Sequence, residues 1–180
     1  NVVLLHGVTS SGKTEVYIHL IKQALDNHKQ VLYLLPEIAL TVQIMERLHK
    51  VFGDRLGIYH SKYSDAERVE IWQKQMSAHP YDVILGARSA VFLPFQNLGL
   101  VVIDEEHETS FKQQDPAPRY HARSAAIVLA GMYPDCKVLL GTATPSMESY
   151  YNAQEGKYGL VELKTRYKDI QLPEIQVVDV

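Results

Sequence analysis

Four consecutive apolar residues, Val2-Val3-Leu4-Leu5, lead through His6 into Gly7-Val8-Thr9-Ser10-Ser11-Gly12-Lys13-Thr14. This junction constrains the chain more than any other stretch. The eight residues fit the spacing G-x-x-x-x-G-K-[ST], which is meaningful only with a strand before it and a helix after it. Both are present: the apolar run precedes, and Val16, Leu20, Ile21, Ala24 and Leu25 then recur at helical spacing. Glycines at the fixed positions let backbone N–H groups close around an anion at a helix N-terminus. In that arrangement Lys13 reaches the β- and γ-phosphates of ATP, and the Thr14 hydroxyl ligates Mg²⁺. The alternative is a Gly/Ser-rich turn bearing a solvated lysine.

Further short runs rich in Val, Ile and Leu follow at Val31–Leu35, Val83–Leu85, Leu100–Ile103 and Val138–Leu140. Continuous apolar strands of this kind suit a parallel sheet covered on both faces. Amphipathic stretches lie between them, carried by Leu40, Ile44, Leu48 and Val51, by Val69, Trp72 and Met76, and by residues 123–132. Ser64 with Glu67 three residues later predicts a capping box before the second of these, and the spacing predicts Trp72 as core. Strand–helix alternation over 180 residues predicts one doubly wound α/β domain with right-handed crossovers. Residues 108–120 interrupt the rhythm as a long polar loop, and long loops in compact domains are commonly functional.

The strand Leu100–Ile103 ends in Asp104-Glu105. Ligands of open α/β sheets bind outside the carboxyl ends of strands, so both carboxylates fall where a nucleotide would lie. Asp104 is the candidate to hold Mg²⁺, and Glu105 to orient and deprotonate the attacking water. An acidic helix start, favoured by the dipole, is the alternative. Lys13, Asp104 and Glu105 are thus the candidate catalytic set, and residues 7–14 the phosphate-binding set.

Asp104-Glu105-Glu106-His107 and Gly141-Thr142-Ala143-Thr144-Pro145 resemble the Asp-Glu-x-His and coupling motifs of superfamily 2 helicases. The likeness narrows with residues 34–41, Gln43, Arg47, His60-Ser61, Glu67-Arg68, Trp72, residues 86–92 with Pro94, and residues 104–123. Together these resemble the bacterial primosomal replication-restart helicases, the PriA family, DEAH-type, over the whole chain. Ser10 stands where that family more often has Gly, and Ala87 where Thr is commoner. The resemblance implies a RecA-like P-loop NTPase domain, a mostly parallel sheet with helices on both faces. It implies an ATP-driven 3′-to-5′ DNA helicase that acts at stalled forks, in replication restart and primosome assembly. His107, Thr142 and Thr144 would then couple nucleotide state to movement; turn chemistry is the alternative for the threonines. Glu37, Thr41, Arg88, Ser89, Phe111, Lys112, Arg119 and Tyr120 would contact DNA. Aromatic rings can stack bases, at about 1–3 kcal/mol each, and cations can meet phosphates. The alternatives are that Phe111 and Tyr120 pin the loop to the core, that Arg88 pairs with a carboxylate, and that Glu37 and Thr41 cap a helix.

The formal charge of −3 excludes a bulk basic field, so nucleic-acid contact must come from local placement. Cys136 is the only cysteine, so no internal disulfide forms and no cysteine cluster holds a metal. A reducing bacterial cytoplasm is the expected compartment. No apolar run approaches the ~20 residues that cross a bilayer, and no signal peptide is expected. The chain opens directly in a strand, and no second motif set follows Pro145. The expectation is therefore a piece of a longer protein. Residues 1–170 would be the first helicase lobe and residues 171–180 the exit toward a second lobe. Zinc is expected only in parts not present here. Expected partners are single-stranded and forked DNA, single-strand binding protein, primosome proteins and the second lobe, with no membrane. Alone, the lobe would be weakly active or inactive. Another superfamily 2 motor (an RNA helicase or restriction translocase), a small phosphotransferase and a non-enzymatic interaction module are the competing readings.

Overall fold

A computed structural model describes residues 1–8, 12–113 and 119–164. Thr9, Ser10 and Ser11 of the phosphate loop, Gln114, Pro116 and Pro118, and the expected exit segment 171–180 lie outside the described residues.

The chain alternates strand and helix from its start. Strand β1 (Val2–Gly7) leads to helix α1 (Lys13–Asp26), then β2 (Gln30–Leu34), α2 (Val42–Phe52), β3 (Leu56–Tyr59) and α3 (Asp65–Gln75). After β4 (Val83–Gly86) comes β5 (Leu98–Asp104) with a one-turn 3-10 segment, Arg88–Phe92, between them. Then follow α4 (Ala122–Gly131), β6 (Lys137–Thr142), α5 (Met147–Gln154) and β7 (Gly159–Leu163). The strands form one sheet in the order β3-β4-β2-β5-β6-β1-β7, and every pairing is parallel.

Period-2 alternation divides the strand side chains between two faces. Leu4, Leu32, Leu34, Val101, Ile103, Val138 and Leu140 pack on one side with Ile71 of α3 and Ala122, Ala126 and Ala130 of α4. Leu5, Val31, Tyr33, Leu100, Val102 and Leu139 pack on the other with Tyr17, Ile18, Ile21 and Leu25 of α1 and Leu48 and Phe52 of α2. Both faces of the sheet are thus covered, as the unbroken apolar runs require.

The Ser64–Glu67 capping box is present: the Ser64 amide donates to Glu67 Oε2 at 2.7 Å and the Glu67 amide to Ser64 Oγ at 3.3 Å. The inward face of α3 differs from the expected one. Ile71 and Gln75 are buried, while Val69, Trp72 and Met76 face outward and Trp72 is 37% exposed. Gln75 is buried because it is satisfied there, accepting from the Tyr81 amide at 2.8 Å and donating to the Pro94 carbonyl at 3.2 Å. Hydrophobicity selected the wrong stripe, since a hydrogen-bonded glutamine took the core position. Strands β3 and β7 and helix α5 were not anticipated.

Candidate nucleotide and coupling site

Strands β5, β6 and β1 are neighbours, so their carboxyl ends bring Asp104, Thr142 and Gly7 to one edge of the sheet. The register pairs Asp104 with Gly141 and His6 with Thr142. Segments separated by more than a hundred residues in sequence thereby become adjacent.

Gly12 caps α1 with φ 85°, a left-handed conformation that glycine adopts without steric cost. Lys13 follows as the first helical residue, and its ammonium donates to the carbonyls of Gly7 at 3.1 Å and Val8 at 3.4 Å. Those are weak, exchangeable partners for a cation at a helix N-terminus. Thr14 lies one residue on, toward β2, and approaches the Tyr33 hydroxyl without completing a hydrogen bond.

Asp104 is held from below. Helix α1 crosses the sheet under β5 and β6, and Tyr17 Oη donates to Asp104 Oδ1 at 2.8 Å. Gly141 permits this approach, because a Cβ there would stand 1.6 Å from the Tyr17 hydroxyl. Burial raises the Asp104 carboxyl above its ordinary range, and the Tyr17 hydrogen bond offsets part of that rise. Burial, reinforced by Asp104, raises the Tyr17 phenol as well, so it remains a donor at neutral pH. Tyr33 stacks edge-on against Tyr17 at 5.6 Å. The sequence reading assigns Tyr17 no role: it sits 87 positions from Asp104 and only the crossing of α1 brings them together.

Glu105 has φ 53°, a region that non-glycine residues enter at a cost of about 1–3 kcal/mol and that clusters at functional sites. The turn swings its carboxylate 3.6 Å from His107 Nε2. On the other side of the ring, His107 Nδ1 lies 2.6 Å from Thr142 Oγ1, and Thr142 Oγ1 accepts from the Thr144 amide at 2.9 Å. A ring with Nδ1 accepting the Thr142 hydroxyl directs its Nε2–H toward Glu105, which lies at contact distance and not within a hydrogen bond. Thr144 joins this line through its backbone amide.

Beneath it lies a group the sequence reading assigned no role. Glu106 is fully buried and accepts from Arg123 Nη1, the Ser146 amide, Ser146 Oγ and Ser149 Oγ at 2.8–3.1 Å.

The expected DNA-contacting residues divide. Glu37, exposed, and Thr41 line a groove of about 530 Å³ with Ile38, Val42 and Lys62 beyond the end of β2; Thr41 also caps α2 by accepting from the Ile44 amide at 3.4 Å. Arg88 and Ser89 are half-buried after β4, and Arg88 Nη1 donates to the Ser110 carbonyl at 2.9 Å. Lys112 and Arg119 are exposed. Phe111 is a correction: only 1% exposed, its ring fills the core beside α4 and cannot stack a base. A polar neighbourhood in sequence concealed an anchor. Tyr120 is half-buried and meets Phe92 edge-on at 4.7 Å, and among the described residues its buried hydroxyl completes no hydrogen bond, although the Arg88 guanidinium approaches it.

The residues suit ATP and Mg²⁺. Tyr17 bonds Oδ1 of Asp104, a carboxylate at a strand end that could ligate a divalent cation, and Thr14 supplies a hydroxyl. Among the described residues no group of three or more His, Cys, Asp or Glu could hold a metal by itself. Mg²⁺ is commonly bound through one or two carboxylates together with substrate phosphates and water. Among the described residues no helix is long and apolar enough to cross a membrane.

The family model of DEAD/DEAH box helicases matches residues 1–153. The replication restart protein PriA of Bacillus subtilis (strain 168) is 46% identical over 178 residues, 99% of this chain and 22% of that protein. The PriA of Rickettsia felis is 48% identical over 176 residues, 98% of this chain and 27% of that one. The chain thus spans a minor part of these relatives' length. Among solved structures, RecG bound to a three-way DNA junction superposes with a TM-score of 0.59 at 23% identity, covering 98% of this chain and 22% of its own. The Pyrococcus furiosus Hef helicase domain gives 0.62 at 17%, covering 94% and 36%. At such identities the likeness establishes the fold, a RecA-like α/β domain.

Proposed function

This chain belongs to the DEAD/DEAH box helicase family, and from that premise we propose that it is the ATP-binding motor lobe of a 3′-to-5′ DNA helicase of replication restart and primosome assembly. The observation that carries the proposal is the line of contacts Glu105–His107–Thr142–Thr144. A simple phosphate-binding domain has no use for such a line. A motor needs one, because the state of the γ-phosphate must be felt at a loop outside the cleft.

In this reading residues 7–14 cradle the phosphates, Lys13 exchanging its carbonyl partners for phosphate oxygens. Thr14 and Asp104 hold Mg²⁺, which when bound neutralises phosphate charge. Tyr17 keeps Asp104 in one rotamer. Glu105 orients the attacking water and accepts its proton. His107 and Thr142 register the change. Thr41, Arg88, Ser89, Lys112, Arg119 and Tyr120 remain candidate DNA contacts, with Glu37 beside Thr41; Phe111 anchors the loop that carries several of them. The likeness to PriA supports single-stranded and forked DNA, single-strand binding protein and primosome proteins as partners, in a bacterial cytoplasm. A second lobe would close the cleft and supply an arginine finger, worth roughly 10³–10⁵ in rate. The isolated 180 residues should accordingly turn over near background.

The test is steady-state ATPase of the full-length protein, with single-stranded DNA, with RNA and with neither, and with the lone lobe alongside. Strong stimulation by DNA, abolished by Glu105→Gln, is expected. Stimulation by RNA alone, or DNA-independent turnover by the lone lobe, would overturn the reading.

A further inference from the structure

Glu106 lies between the candidate general base and the coupling histidine, yet it faces away from the nucleotide edge. Its environment is unusual for a carboxylate: 0% exposed, with four hydrogen bonds to its side chain from three residues, Arg123 of α4 and Ser146 and Ser149 at the start of α5. Each bond ties it to the root of a functional loop. Its amide donates to the Gly141 carbonyl at 3.1 Å, and its Oε1 accepts from the Ser146 amide at 2.8 Å. Gly141 and Ser146 are the two residues that flank Thr142–Pro145, so one residue grips the coupling segment at both ends.

The same residue closes the root of the loop expected to meet DNA. Arg123, in the first turn of α4, donates through Nη1 to Glu106 Oε2 at 2.9 Å and to the Glu106 carbonyl at 3.3 Å. Through Nη2 it reaches Glu148 of α5 at 3.0 Å. Glu106 precedes that loop and Arg123 follows it. Above this pair the two sides of the loop meet in an antiparallel bridge between Lys112 and His121, and the Gln113 amide donates to the Tyr120 carbonyl at 2.8 Å. A pull on the Tyr120 side is therefore delivered along α4's first turn to Arg123, and through it to Glu106.

Displacement of Glu106 cannot be absorbed locally. Glu105, its neighbour, is already in a left-handed backbone state, and Gly141 lies so close to the Tyr17 hydroxyl that no Cβ would fit between them. Buried ion pairs are poor devices for stability, since apolar residues of like volume commonly serve as well or better; their best-attested use is in fixing one arrangement against others. We propose that Glu106 is a positioning residue, paired with Arg123, that holds the base of the 108–120 loop and the coupling segment in one register and so transmits DNA engagement to Glu105 and Thr142. This rests on the motor reading given above.

The experiment uses the full-length helicase and reads the ratio of DNA-stimulated to basal ATP turnover, with KM for ATP measured in parallel. Glu106→Gln keeps the volume and most hydrogen-bonding capacity but removes the charge that Arg123 answers. A fall of the ratio by at least tenfold, with KM for ATP within about twofold, is expected, and Arg123→Lys should be intermediate. A merely structural residue would depress basal and stimulated turnover together; a ratio within twofold of wild type in Glu106→Gln overturns the proposal. Should that variant not fold by circular dichroism, Ser149→Ala decides, since it removes one of the four bonds. A ratio lowered at least threefold supports the proposal, and an unchanged one overturns it. A wild-type enzyme that DNA does not stimulate overturns the motor reading itself and this inference with it. Stimulation that survives in the variants removes this inference alone.

Discussion

Asp104 pays an electrostatic penalty for its place. Burial raises its carboxyl above the ordinary range and the Tyr17 hydrogen bond recovers only part. In the unfolded chain the same group ionises near the usual ~3.9. As pH rises past that value the unfolded state releases its proton first, so the native state loses relative stability, and the cost is complete above the raised folded pKa. Asp104→Asn should therefore melt at a higher temperature than the native chain at pH 7, while in the full-length protein it should lose ATPase activity. The gap should close as pH falls below about 4, where both side chains are neutral. Equal melting temperatures at pH 7 would contradict this account. At this scale the sequence named Lys13, Asp104, Glu105, His107 and Thr142 because their spacing is local. It missed Tyr17 because nothing within the helix marks a tyrosine that reaches beneath another strand. It misread Phe111 because polar flanking residues say nothing about what lies under a loop.

Helix α1 is more than a cover for the sheet. Its first turn follows the candidate phosphate loop, and its second carries Tyr17 under Asp104, so one rigid element fixes the candidate phosphate and metal residues relative to each other. Gly141 of β6 makes room for this crossing. Gly141→Ala forces the tyrosine aside, and overpacking of this kind costs about 1–3 kcal/mol. Denaturant melts should show that loss, and in the full-length enzyme ATPase should fall with it. Tyr17→Phe removes the nearest clashing atom, so the double variant should be destabilised by less than the sum of the single changes. Strict additivity would mean that the glycine is needed for another reason. Other elements were less legible. Strand β3 has four residues, with Gly57 among them, too few for a period to declare itself. On α3 the capping box was legible because it is written in four consecutive residues, whereas the buried face was not: Gln75 finds its partners in Tyr81 and Pro94, beyond the helix.

Across the whole molecule, strand order separates two territories on one edge of the sheet. The candidate nucleotide residues gather over β5, β6 and β1, and the candidate DNA contacts lie over β2 and β4 and along the 108–120 loop. Arg88 bonded to Ser110 and Phe92 stacked on Tyr120 tie that loop to the β4 side, while Glu106 ties it to the nucleotide side. A lobe organised this way should impose one direction on the strand it tracks. The full-length protein is expected to unwind a duplex carrying a 3′ single-stranded tail and to leave the 5′-tailed equivalent intact; a gel-based strand-displacement assay with both substrates checks it, and the reverse preference would refute the stated polarity.

The sequence alone determined the local chemistry: a phosphate loop between strand and helix, two carboxylates at a strand end, a capping box, and alternation that commits the chain to a covered parallel sheet. These are legible because strand and helix periods and turn chemistry act over a few residues. Only the tertiary structure decided that Tyr17 braces Asp104, that Phe111 is buried, that Trp72 is not, and that Glu106 and Arg123 join two loops at their roots. Those outcomes depend on which strands become neighbours, a choice made by packing two apolar faces at once, and no short stretch of sequence contains it.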